Sequence, residues 1–137
     1  MKSQARAGIV VLIALAVAPV LGHADPPFHL SYRVDDVRQD GHTRSGTLLL
    51  NVYNTSGEDA LDMVAWIPEP NQMTYGHRQI GIGTVPDGEQ VQILNPYIVP
   101  IEAAQTRSTT EAVIWRLEYT RAVGERESVD VFGQEVP

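Results

Sequence analysis

The chain has 137 residues, no cysteine, and 17 acidic against 10 basic side chains, for a formal charge of −7 at pH 7. This length suits one domain with one core, and the missing cysteines exclude both disulfides and a thioether-linked lipid. Lys2 is the one lysine and the arginines are scattered, so nucleic acid and anionic membrane are poor partners for a surface without clustered positive charge.

The first 24 residues read as a cleavable export signal. Lys2 and Arg6 precede an apolar stretch from Ala7 to Leu21, and Gly22-His23-Ala24 supplies small residues before a cleavage point at Asp25. The apolar stretch is shorter than the roughly 20 residues that a helix needs to cross a bilayer, and Pro19 interrupts its end. Residues 1–24 are therefore expected to be removed without leaving a stable membrane anchor, and residues 25–137 to form one acidic domain in the periplasm or outside the cell. Loss of Lys2 and Arg6 would take the charge from −7 to −9.

After the signal the apolar residues recur with period two, as strands with one buried face require. Phe28, Leu30, Tyr32 and Val34 share one phase. Arg38 to Ser45 is polar, with a turn signal at Asp40-Gly41. Leu48, Leu50 and Val52 alternate with Leu49, Asn51 and Tyr53, a strand apolar on both faces that belongs inside a sheet or under a loop. The run from Asn54 to Asp59 is a turn, and a third strand follows from Leu61 to Ile67. Its spacing puts Leu61, Met63, Ala65 and Ile67 on one face and Val64 and Trp66 on the other. Pro68 and Pro70 end it, since proline donates no ladder hydrogen bond.

Asn71 to Arg78 reads as a loop, Ile80 and Ile82 as a short strand stopped at Pro86-Asp87-Gly88, and Val91 and Ile93 as another. The segment from Asn95 to Ile101 is apolar but holds Pro96 and Pro100, which suits an edge or a crossing between sheets. A short helix is allowed over Glu102 to Thr106. Val113, Trp115, Leu117 and Tyr119 then pair with Val129 and Val131 across a turn at Val123-Gly124-Glu125, the clearest hairpin in the chain. About seven short strands separated by Gly, Pro and Asp turns predict an all-β sandwich of the immunoglobulin-like kind.

Two segments carry a resemblance. Leu50 to Val64, with its Asn-Thr-Ser-Gly turn, is similar to the second-to-third strand region of bacterial surface immunoglobulin-like repeats, and Ile82-Gly83-Thr84-Val85-Pro86-Asp87-Gly88 resembles their proline-led turn. The resemblance implies the sandwich fold and transfers no active-site residue. Such modules commonly stand in tandem, so a single copy is expected to meet its partner as a separate molecule.

Reactive chemistry is sparse. His29, His42 and His77 with Met63 and Met73 offer the soft ligands that copper accepts, but only Met73 and His77 are close in sequence. Asp35, Asp36 and Asp40 flank a turn without the spacing of a calcium loop. The serines lie in no nucleophile elbow. Asn54-Thr55-Ser56 fits a glycosylation sequon yet reads as a turn. No enzyme, cofactor or metal follows from this pattern. Proline-bracketed apolar segments give the leading candidate, an interaction patch of Met73, Tyr75, Tyr97 and Ile98, although Tyr97, Ile98 and Ile101 would equally well close one end of the core. Trp66 and Trp115 sit in strand patterns and are assigned to the core. The expected function is a non-enzymatic accessory or interaction module of the bacterial envelope that binds another envelope or secreted protein. The alternative is a small-ligand, copper or calcium carrier.

Overall fold

The computed structural model describes residues 26–67, 72–105 and 113–136. The export signal, Pro68, Pro70, Asn71 and Thr106 lie outside the described residues. Seven strands follow in chain order: β1 Phe28–Asp40, β2 Thr43–Asn54, β3 Ala60–Trp66, β4 Gln79–Val85, β5 Gln90–Pro100, β6 Val113–Arg121 and β7 Arg126–Glu135. Among the described residues a single short helix, α1 Ile101–Gln105, sits between β5 and β6 where the sequence allowed one. The protein is thus all-β.

The strands form one sheet in the order β4-β3-β6-β7-β1-β2-β5. Every pairing is antiparallel except β1 with β7, which run parallel over Leu30↔Gly133 to Tyr32↔Glu135. The sheet is barrel-like, and its concave side holds a single core. Leu48, Leu50 and Val52 from β2 are fully buried there, with Phe28, Leu30 and Tyr32 from β1 and Trp115 and Leu117 from β6. Burial of each such aliphatic chain contributes about 1.5–3 kcal/mol. The alternating phase predicted for these strands is the phase observed.

Three details differ from the sequence expectation. The polar stretch Arg38 to Ser45 is strand on both sides of a two-residue turn at Gly41 and His42, with Asp40 opposite Thr43. Ladder hydrogen bonds hold these residues extended where no core selects apolar side chains, and Gly41 takes the positive φ of 61° that the tight turn needs. In β3, Asp62 has φ 49° and the register shifts beside it. This bulge shifts the phase at the start of the strand only, so Ala60 faces the core and Leu61 does not, while Met63, Ala65 and Ile67 are buried on the face their spacing predicts. Trp66 lies on the face opposite Met63 and Ala65, as its spacing predicts, but that face is the convex one and the side chain is only half-buried, whereas Trp115 is in the core as expected. The Asn95 to Ile101 segment takes the edge position of the two expected: residues 95–100 complete the edge strand β5 beside β2, and Tyr97 and Val99 join the core.

Candidate functional site

The four residues of the predicted patch are not brought together as a surface. Tyr75 is 3% exposed and Tyr97 8%, and their rings meet edge to face at 5.4 Å between centroids inside the core cluster. Met73 and Ile98 are exposed, but Ile98 follows Tyr97 along a strand and points the opposite way. Tyr97 shares its parity with buried Val99, a signal present in the sequence that the flanking prolines obscured.

The metal candidates are also dispersed. Met63 is in the core, His29 is on the convex side of β1, His42 is in the hairpin turn and His77 is in the loop before β4. Among the described residues no group of three or more His, Cys, Asp or Glu side chains converges. Asp35 pairs with Arg33 at 3.3 Å, and Asp36 occupies a positive-φ position beside the irregularity in β1. Asn54 of the sequon is fully buried. Its Nδ2 donates to the carbonyls of Glu58 and Val85, each at 2.8 Å, and its Oδ1 accepts from Ser56 N–H. It is an internal brace for the turn.

A charged cluster gathers at the tip of the β6–β7 hairpin. Arg121 donates to Glu58 at 3.0 Å and lies within 3.4 Å of Glu125 and Glu127, and Ala122 N–H donates to the other Glu58 oxygen. The Arg121 and Ala122 hydrogen bonds hold the Glu58 carboxyl below its ordinary pKa. Burial pushes the Tyr119 phenol up, helped by the negative charge of Glu127, whose carboxylate accepts its hydroxyl at 3.3 Å. The ion pairs and backbone caps tie this hairpin to the β2–β3 turn. That is a structural latch, in which three carboxylates converge on one guanidinium.

The convex face carries a different arrangement, one written in the register. Ile114 of β6 is opposite Phe132 of β7. The parallel pairing places His29 of β1 next along, and His29 is opposite Tyr53 of β2, which is opposite Gln90 of β5. One pleat away a second row runs Gln134, Ser31, Asn51, Gln92 across the same strands. The first row is largely rings and the second is entirely uncharged hydrogen-bonding groups. Phe132 is 71% exposed, Ile114 49% and Tyr53 41%. The His29 and Tyr53 rings are 6.2 Å apart and tilted by 30°.

No protein-family model matches the chain, and no characterised protein matches it in sequence. The chemistry of the site therefore rests on its own residues. Two depressions mark the face. One, of about 270 Å³, is lined by His29, Ser31, Asn51, Tyr53, Phe132 and Gln134 among others. The other, of about 570 Å³, lies between Trp66, Gln72, Ile114, Arg116 and Asp130. Arg116 and Asp130 pair there at 3.1 Å, and the Trp66 indole N–H is buried without a hydrogen-bond partner. Exposed rings at positions out of phase with the core were the available signal for this face: Tyr53 beside Val52, and Phe132 beside Val131. Their meeting depends on the β1–β7 pairing, which no local pattern announces.

Proposed function

We propose that the protein is an exported, non-enzymatic recognition module of the bacterial envelope, built on an immunoglobulin-like sandwich and binding its partner with the convex face. The sandwich reading is supported by the division of the strands into two antiparallel groups, β4-β3-β6-β7 and β1-β2-β5, joined by the short parallel contact of β1 with β7. Export is supported by the charged, apolar and small-residue pattern of the first 24 residues.

The observation that carries the reading is the exposure of Ile114 and Phe132 on the neighbouring strands β6 and β7, continued through His29 of β1 to Tyr53 of β2. Large apolar side chains grouped on a surface mark interaction sites, whereas isolated ones do not. An immobilised sample of the protein is expected to retain a component of the native envelope that a Phe132→Ser, Tyr53→Ser double variant does not. Retention of the same components by both proteins would remove the convex face as the binding surface. Circular dichroism of the variant supplies the folding control, since exposed substitutions shift stability by only about 0.5 kcal/mol.

A further inference from the structure

We propose that the two rows on the convex face form a binding site for a neutral glycan chain lying across the strands, an inference that rests on the recognition reading above. A pyranose ring is amphipathic, with C–H groups on its faces and hydroxyls around its rim. An aromatic ring accepts the first by stacking. A planar amide, with a donor and an acceptor side by side, meets adjacent hydroxyls. The convex face offers these two chemistries in parallel. Phe132, His29 and Tyr53 supply rings on β7, β1 and β2, and Gln134, Ser31, Asn51 and Gln92 supply hydroxyl and amide groups one pleat away.

The spacing suits a chain. Rows on one face of a sheet lie about 7 Å apart, and neighbouring strands about 4.8 Å apart, so a ring stacked on the first row keeps one rim above the second. The amide row is partly ordered before any ligand arrives. Asn51 Oδ1 accepts from Gln90 at 3.3 Å and from Gln92 at 3.1 Å, which holds both glutamine amides beside it. The 270 Å³ depression among these residues is smaller than the pockets that enclose whole ligands. A surface of this depth grips successive units of a polymer.

Charge decides the ligand class. The chain carries 17 acids, yet neither row contains a carboxylate, a guanidinium or an ammonium. Of the charges two positions along the same strands, Arg33 is paired with Asp35 and Arg116 with Asp130. A polyanion would find no cation, and a basic partner would be drawn to the acidic surface elsewhere. A protein partner would have to match one fixed set of polar groups to the amide row. A glycan repeats its hydroxyls from unit to unit and meets the row in any of several registers.

The test is titration of the purified protein with cellohexaose, chitohexaose and maltohexaose, followed by backbone amide NMR. At least one of them is expected to shift the resonances of Tyr53, His29 and Phe132 saturably, with an affinity unchanged between low and high salt because the ligand is neutral. Tyr53→Ala and Phe132→Ala should each weaken it about tenfold, and Arg33→Gln, outside both rows, should change it less than about twofold. No shift with any of the three, or equal affinity in the ring variants, overturns the proposal. Envelope material held by the convex face gives a second readout. If it survives periodate oxidation but is destroyed by protease, the glycan assignment falls and the recognition reading stands. If the face holds nothing, both fall.

Discussion

At Gly133 the backbone of β7 passes against the indole of Trp115, and a Cβ built there would overlap the Trp115 ring. The ring is fully buried in the core and has no room to retreat, so Gly133→Ala should lower stability by about 1–3 kcal/mol, the usual cost of overpacking. Urea unfolding would measure it, and an unchanged midpoint would contradict the packing described. Asn54 makes the complementary case. Its side chain satisfies two carbonyls and one N–H at a buried turn, so Asn54→Ala leaves backbone groups without partners in a space closed to water. A loss of about 2–4 kcal/mol is expected from the same unfolding measurement. The sequence displayed this residue only as one member of a polar turn. Local composition identifies a turn but does not reveal which of its side chains reaches 31 residues along the chain to Val85.

The same limit holds for strands and hairpins. β6 and β7 were legible because each alternates against a full core, with Trp115, Leu117 and Val131 buried in phase. The outer half of β1 and the start of β2 were not, because they extend past the core and hold their shape by ladder bonds alone. β3 was legible as a strand and in phase from Met63 onward, but not at its start, since Asp62 inserts a bulge that only the pairing partners expose. The latch between the β6–β7 hairpin and the β2–β3 turn has a pH signature. The Glu58 pKa is lowered in the folded protein, so the folded state holds the proton less tightly than the unfolded chain. Its stabilisation is present above the ordinary value of 4.5 and is lost as pH falls through the lowered one. Glu58→Gln should therefore melt below wild type at pH 7, and the gap should narrow as pH drops below 4.5. A gap independent of pH would show that the carboxylate charge is not what closes the latch. Tyr119 acts at the other end of the scale. Its raised pKa means that its contribution is complete below 10 and disappears as pH climbs through the folded value, which difference absorbance of the phenolate would follow.

For the whole molecule the ladder edges matter most, because the sheet ends in β4 on one side and β5 on the other, and each of these strands has a ladder partner on one side only. The all-β class was readable from alternation, and so was the edge position of β5 from its prolines; the strand order was not, because it rests on long-range pairings that leave no periodic trace. Asn54 N–H donates to Glu89 O at 3.0 Å. By alternation along an antiparallel pair, odd-numbered residues of β5 then turn their polar groups toward β2 and even-numbered ones turn theirs outward. Pro96 and Pro100 both fall on outward positions, where a missing N–H costs the ladder nothing and denies a donor to any strand that approaches. Leu94 and Ile98 are exposed beside them, so this edge combines apolar side chains with open backbone, the combination that invites strand addition. Pro96→Thr with Pro100→Thr restores two donors on that edge while keeping the β2 pairing. The double variant should self-associate at concentrations where the parent protein does not, with sedimentation velocity reporting a shift toward dimer. Unchanged sedimentation would mean that something other than these prolines guards the edge.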